Sequence, residues 1–324
     1  METRLLSARS PPDLDEAAAL LRRGGLVAFP TETVYGLGAL ALEPLAVRGI
    51  YAAKGRPPTN PLIVHVLGED DARPLLARWP LEAQQLAARY WPGPLTLVLP
   101  RTALVPDEVT AGGETVGVRA PSHPVARALL ERLGAPLAAP SANSAQHVSP
   151  TSAAHVLRDL NGRIDAVLDG GRCSVGIEST VLGLDGPVPR LLRAGAISRA
   201  ELEEMLGPLE IGPRPGVVPQ SPGQNRRHYA PAALVRLSSR AGLTDAVASL
   251  SGRIGVLLRG DTPAPAAAAV ARLPADATAY ARGLYAALRE LEDSDCSAIV
   301  IEQVPDGSEW DAIRDRLARA AAPE

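Results

Sequence analysis

A mixed α/β protein, built on a twisted open sheet and followed by a smaller Rossmann-like α/β unit, is what the sequence predicts. Three observations carry that expectation. Apolar runs of strand length, such as 26–29, 62–67, 95–99 and 115–119, interleave with segments of helical periodicity, but without the strict alternation of a doubly wound sheet. Across 208–231 the composition turns dense in proline and glycine, which rules out a long helix or a central strand. Beyond that stretch, three further apolar runs alternate with helices in the manner of a small three-layer domain. The expected organisation is a first domain over 1–207, a linker over 208–232 and a second domain over 233–324.

In chain order, Asp13 and Glu16 have the spacing of a capping box, and Leu14, Ala17, Ala18 and Leu21 share one helical face that Gly24-Gly25 should end. Residues 26–29 read as a buried strand. Pro44 suits a first helical position and opens a helix to about Lys54. The strand over 62–67 has one polar member, His65, on the face of Ile63 and Leu67. A helix over 81–90 stops at Trp91-Pro92-Gly93-Pro94, and strands over 95–99 and 115–119 follow. Gly134 closes a helix over 124–133, and a short strand over 137–139 runs into Pro140-Ser141-Ala142-Asn143. A further helix can start after Ser149-Pro150-Thr151, and 166–168, 179–184 and 188–192 supply more strands. In the second domain, strands over 234–237, 254–258 and 298–301 alternate with helices near 243–250, 278–291 and 310–320. The alanine-rich stretch 263–271 carries no clear signal.

Composition bounds the function. The chain of 324 residues is 46% hydrophobic and 21% charged, which suits a soluble globular protein of two domains with an aliphatic core, aromatics being only 3%. A net charge of -3 argues against a protein that coats nucleic acid, while leaving room for a local basic patch. Cys173 and Cys296 make neither a disulfide framework nor a zinc site, which fits a reducing cytoplasm. Neither a secretory apolar segment nor a run of membrane-spanning length is present, so a cytoplasmic location is expected.

The chemistry concentrates in 30–61, PTETVYGLGALALEPLAVRGIYAAKGRPPTNP. Lys54 and Arg56 stand one residue apart at the end of a helix, either complementing its dipole or gripping an anion. The rigid Pro57-Pro58-Thr59-Asn60-Pro61 beside them favours the grip. Ser141 and Asn143 follow a strand end, where α/β proteins place ligand contacts, although both are also common turn residues. Arg119 ends an apolar strand, as an exposed terminus or as an anchor for a carboxylate. His65, alone in a strand, reads as a hydrogen-bonded core residue before a ligand or base. The linker reads as a spacer or as a lid, and Arg226, Arg227, His228 and Tyr229 favour the lid. No phosphate-loop, nucleophile-elbow or metal-ligand spacing is present. A hydroxyl-rich cationic set of this kind suits positioning and charge neutralisation, the main needs of phosphoryl or nucleotidyl transfer.

Taken in order, PTETVYGLG, YAAKGRP, NPL, HV, PSAN and ESTV make the sequence resemble the YrdC-like family, the threonylcarbamoyl-AMP synthases. SPGQNRRHYAP with a trailing α/β domain resembles its longer, two-domain members. The resemblance implies a twisted open sheet, of the double-stranded-RNA-binding-like YrdC fold, around a cationic cavity. It implies synthesis of threonylcarbamoyl-AMP and pyrophosphate from L-threonine, bicarbonate or CO2, and ATP with Mg2+, with no permanent metal. A separate transferase complex would use the product to modify adenosine 37 of tRNA. By motif, Lys54, Arg56, Asn60, Thr115, Ser141, Asn143, Ser149, Arg193 and Tyr229 match nucleotide-contacting positions, with Lys54 and Arg56 carrying the catalytic charge. Thr33, His65, Arg119, Ala139 (through its backbone) and Ser179 match threonine-holding positions. Gln224, Asn225 and Arg226 depart from the usual linker motif, and Ala194 replaces a common proline. An RNA-binding module using the same cavity is the competing expectation. A hydrogenase-maturation carbamoyltransferase is disfavoured, because its cysteine-rich zinc segments are missing.

Overall fold

The computed structural model describes residues 2–213 and 227–323. The linker departures at Gln224, Asn225 and Arg226 lie outside the described residues. Among the described residues no helix is long and apolar enough to cross a membrane.

Proline and glycine set many of the helix ends. The first strand, β1 (Arg4–Ser7), leads into α1 (Pro11–Arg22), whose N-cap is Ser10, accepting from the Asp13 backbone N–H. The expected Asp13–Glu16 box is displaced because Pro11 and Pro12, which have no N–H to lose, occupy the first turn. Then come β2 (Val27–Phe29), β3 (Gly36–Leu40) and α2 (Pro44–Lys54), with Pro44 in the first turn of α2 and Gly55 in the left-handed region (φ 61) just past its end. The chain continues through β4 (Ile63–His65), α3 (Glu69–Ala72), α4 (Leu81–Tyr90), β5 (Leu95–Pro100), α5 (Asp107–Thr110), β6 (Thr115–Arg119) and α6 (Pro124–Leu133). After these come β7 (Leu137–Ala138), α7 (Ala153–Leu160), β8 (Ala166–Asp169), β9 (Thr180–Gly183), β10 (Arg190–Arg193), α8 (Arg199–Leu206) and β11 (Glu210–Ile211). The last part comprises β12 (Leu234–Ser238), α9 (Leu243–Ala248), β13 (Ile254–Arg259), β14 (Ala269–Leu273), α10 (Ala277–Asp293), β15 (Ala298–Glu302) and α11 (Asp311–Ala320).

Close contacts divide the chain into two units, the first holding Met1–Ala145, Pro150–Ser174 and Glu178–Gln224, and the second Gln146–Ser149, Val175–Ile177 and Asn225–Glu324. The first unit is one mixed sheet in the order β1-β8-β2-β3-β7-β4-β6-β5-β9-β10-β11. Parallel pairs such as β4–β6 and β5–β9 sit beside antiparallel ones such as β2–β3 and β5–β6. Successive strand residues face opposite sides of a sheet. Ala28 accordingly joins a core with Ile50 of α2 and Leu86 of α4, while Val27 and Phe29 join another with Leu21 of α1 and Leu129 of α6.

The second unit has an all-parallel sheet in the order β12-β15-β13-β14. The alanine-rich stretch supplies the edge strand β14, with Val270 and Arg272 exposed and Ala271 and Leu273 buried. That alternation was masked in the sequence by the uniform alanines around it.

Candidate functional site

The C-terminal turn of α2 brings two cations into the first unit's interior. Lys54 and Arg56 are both buried. The Lys54 ammonium does not serve the carbonyls of its own helix. It donates to the backbone oxygen of Ser141 at 2.6 Å, to that of Asn143, and weakly to Asn143 Oδ1 at 3.5 Å. Arg56 donates from Nε to Asn60 O at 3.2 Å and from Nη2 to Pro61 O at 3.0 Å, which ties down the proline-rich turn. Burial, and then the charge of Arg56, hold the Lys54 ammonium well below the ordinary lysine range, with Asp159 opposing. The three carbonyl oxygens around Nζ all accept from it and fix its position. Cations gathered under burial favour an anion arriving from outside.

A second cluster forms around Arg119. Its Nη2 donates to Glu32 Oε1 at 2.7 Å, its Nη1 to Thr33 Oγ1 at 2.9 Å and its Nε to Gly93 O at 3.3 Å. Neither Glu32 nor the role of Thr31 was singled out from the sequence. The available signal was a carboxylate set between two threonines directly after a buried strand. His65 is the register partner of Arg119 across the parallel pair β4–β6. Burial first, and then the Arg119 charge, push the His65 imidazole down to about 3, so the ring is neutral under ordinary conditions. The ring is buried against the Ile63 and Leu137 backbone, as its strand position suggested, while its Nδ1 is buried without a hydrogen-bond partner. A buried polar atom without a partner is rare in a core and fits a binding position.

Ser179 immediately precedes β9 and shares a 2.8 Å contact with Thr96 Oγ1 of β5, a residue the sequence did not single out. Arg193 was expected with the nucleotide group, yet it donates to Ser179 O at 3.0 Å and to Ser179 Oγ at 3.1 Å. The backbone N–H of Ala139 is committed to Ile63 O at 2.9 Å, which leaves its carbonyl to offer. Burial pushes the Cys173 thiol up to about 12, so it stays protonated and is no nucleophile. Among the described residues, no group of three or more His, Cys, Asp or Glu could hold a metal ion.

The two clusters flank one backbone segment. Tyr35 O accepts from Ala142 N at 2.8 Å, and Leu37 N donates to Pro140 O at 2.8 Å, so the turn carrying Thr33 is stitched to the loop that cradles Lys54. The Phe29 ring lies across the glycines of β3 and meets the His65 ring edge-on, at 6.0 Å between centroids. Register then orders the site along β4 and β6. Arg119 and His65 end these strands, while Thr115 and the Asn60-Pro61 turn lie at their beginnings, with Arg56. Ser149 and Tyr229 group with the second unit. In that unit the Tyr229 ring stacks on Tyr285 at 5.9 Å and lies under the Arg316 guanidinium at 5.0 Å.

The chain has relatives along its whole length. Residues 19–195 match the Sua5_yciO_yrdC family model, described as "Telomere recombination", and 197–322 match that of the threonylcarbamoyl-AMP synthase C-terminal domain. The threonylcarbamoyl-AMP synthase of Bacillus subtilis is 42% identical, over 96% of this chain and 93% of its own. That of Pyrococcus abyssi is 41% identical, over 94% and 93%. The crystal structure of P. abyssi Sua5 complexed with L-threonine superposes with a TM-score of 0.92 at 39% identity, covering 99% of this chain and 98% of that one. Escherichia coli YciO, at 23% identity and a TM-score of 0.53, shows the shared fold alone. With both family models and near full-length relatives in agreement, the chain belongs to the Sua5/YciO/YrdC family, in the two-domain form of the threonylcarbamoyl-AMP synthases.

Proposed function

We propose that the chain is an L-threonylcarbamoyladenylate synthase. The supporting observation is the pair of buried cationic clusters, Lys54–Ser141–Asn143 and Arg119–Thr33, on either side of one strand segment in a family whose relatives carry that name. Threonine enters at the Arg119 end, its carboxylate on the remaining guanidinium donors, with Thr33, His65, Ser179 and the Ala139 carbonyl around it. ATP enters at the other end, its phosphates facing Lys54, Arg56, Asn60, Thr115, Ser141 and Asn143. By motif, Ser149, Arg193 and Tyr229 match further nucleotide-contacting positions.

The threonine amine, once deprotonated, attacks CO2 or bicarbonate to give N-carboxythreonine, with water as by-product from bicarbonate. The new carboxylate attacks the α-phosphorus in line, forming the acyl–phosphate bond as pyrophosphate leaves. Lys54 and Arg56 neutralise charge that develops on the phosphates, and alignment of the substrates supplies much of the acceleration. Mg2+ arrives with ATP and supplies further neutralisation. The oxygen donors of Ser141 and Asn143 suit such a hard cation, which binds substrate phosphates and few protein groups. The linker over 208–232, expected as a lid against water, has 214–226 outside the described residues. The product passes to a tRNA threonylcarbamoyl transferase complex for N6-threonylcarbamoyladenosine at position 37. That pathway places the chain in the cytoplasm.

The test is mass spectrometry for threonylcarbamoyl-AMP, with release of pyrophosphate, when ATP, L-threonine and bicarbonate are supplied together or one at a time omitted. Product requires all three, and Arg56→Ala, while folded, loses most of it. Salt-sensitive RNA binding without threonine-dependent pyrophosphate release would sink the proposal and favour an RNA-binding module.

A further inference from the structure

The Arg119 cluster contains more than a carboxylate anchor needs. Arg119 has five N–H donors, and three of them are committed to Glu32, Thr33 and Gly93. One remains on each terminal nitrogen, enough for a substrate carboxylate. Glu32 sits against the same guanidinium, with both members of the ion pair buried, and its second oxygen accepts from Ser122 N at 3.1 Å. A buried carboxylate beside the position where another carboxylate must dock is unfavourable, unless the ligand also brings a positive charge.

The hydroxyls next to it have a fixed polarity. Thr31 Oγ1 lies 2.6 Å from Val34 O, a pure acceptor, so the single Thr31 hydroxyl proton is spent there. Thr31 Oγ1 also accepts long bonds from Thr33 N and Val34 N, each at 3.2 Å, so with its own proton on Val34 O the 2.8 Å contact to Thr33 Oγ1 is best served by the Thr33 proton. Thr33 also accepts from Arg119, so it has no proton left and one lone pair to offer. It can take an N–H from a ligand but cannot donate to a carboxylate.

We propose that Glu32 is a specificity-determining residue of the amino-acid subsite. Its charge, together with Thr33 held as an acceptor by Thr31, makes the subsite select a zwitterion, an ammonium beside the carboxylate that Arg119 takes. The inference rests on reading this cluster as the threonine subsite. A merely structural counter-ion would keep Arg119 buried and affect all ligands alike. A zwitterion filter changes the ratio between a ligand with an amino group and one without.

Calorimetric titration of the full chain with L-threonine and with (R)-3-hydroxybutanoate, which is threonine without its amino group, reads that ratio. Wild-type protein should bind L-threonine at least about tenfold more tightly than the hydroxy acid, because a neighbouring charge a few ångströms away in a protein interior outweighs one order of magnitude in affinity. Glu32→Gln should narrow the ratio roughly tenfold, mainly by tighter binding of the hydroxy acid. Thr31→Val, which frees the Thr33 proton, should weaken L-threonine about fivefold and leave the hydroxy acid within about twofold, with recovery in Thr31→Ser. Equal affinity of wild-type protein for the two ligands overturns the filter whether or not any variant folds. So does an unchanged ratio in folded Glu32→Gln. If wild-type protein binds no L-threonine, the threonine subsite itself is wrong and the filter falls with it. Threonine binding with an unchanged ratio removes the filter alone.

Discussion

Replacing Lys54 by Met separates a functional cation from a structural strut. The ammonium makes two strong hydrogen bonds, to Ser141 O at 2.6 Å and to Asn143 O, and a long one at 3.5 Å to Asn143 Oδ1. Methionine fills the stem but leaves two buried carbonyls unsatisfied, at about 1–3 kcal/mol each. Against that, the variant no longer buries an ammonium, which costs several kcal/mol in the native protein and is made worse by the charge of Arg56. The two effects oppose each other, so Lys54→Met should change unfolding stability by no more than about 2 kcal/mol. If Lys54 neutralises phosphate charge in the transition state, its loss should lower turnover by about 10²–10³, the scale seen when one preorganised donor is removed. Chemical denaturation and initial rates of pyrophosphate release on the same preparation give both numbers. A variant that loses more than about 4 kcal/mol of stability while keeping wild-type turnover per folded molecule would show that Lys54 only props up the Ser141–Asn143 loop.

Two further outcomes follow from the first unit's interior. In Gly195→Ala the new Cβ would lie 2.2 Å from Thr180 N, 2.5 Å from Ser179 C and 2.7 Å from Glu178 O, all backbone atoms. With Thr180 N bonded to Pro94 O, that backbone has little room to yield. A loss of about 3 kcal/mol and a fall in Tm of about 6–12 °C are expected by scanning calorimetry, and a change under about 2 °C would contradict the contact. Acid stability should fall in two stages. His65 is buried neutral at about 3 against an ordinary 6.5, so the unfolded chain binds the extra proton and stability drops as pH falls below 6.5. The drop attributable to His65 is about 2 kcal/mol by pH 5. Burial works to raise the Glu32 carboxyl, but the Arg119 charge and the hydrogen bonds from Arg119 and Ser122 outweigh it and leave it below 4.5. Its stabilising share therefore persists above that value and is lost as pH falls through its lowered pKa. Denaturation of His65→Gln should lack the slope between pH 6.5 and 4.5, and identical slopes would refute the His65 assignment.

What the sequence revealed, and what it hid, divide along one physical line. Local backbone chemistry was legible. Pro44 in the first turn and Gly55 past the end bound α2 at Pro44–Lys54, and the same signals bound α6 at Pro124–Leu133. The strand Thr115–Arg119 also agrees to the residue. Long-range pairing was not legible. The strand β3 hides in Gly36–Leu40 because its glycines lack strand propensity, and it forms because β2 and β7 pair with it on both sides. Glu32 and Thr96 acquire meaning only through Arg119 and Ser179, each more than 80 positions away. The motif pattern grouped Lys54 with Ser141 and Asn143, and Arg119 with Thr33, as the structure also does, while the bonds from Arg193 to Ser179 could not be read from it.

The arrangement answers a specific difficulty of the proposed reaction, in which one anion must attack a phosphorus surrounded by others. Placing every cation at one point would hold threonine and nucleotide apart by crowding their charges onto the same donors. Here the strands β4 and β6 separate the cations, with Arg119 at their ends and Arg56 beside the turn that begins β4. Between them the sheet carries small residues, Gly36, Gly38 and Ala139. A Cβ on Gly36 would lie 3.3 Å from the Ala139 side chain and 3.5 Å from the Phe29 ring, a tight fit that favours a small residue there. A strand advances about 3.3 Å per residue, and the three residues of β4 therefore span roughly the length of an amino acid extended by a carbamate. Each substrate can be held by its own end while the reacting atoms meet over neutral backbone. Attraction is thus spent on alignment at the two ends, and the middle is left free for the bond that forms.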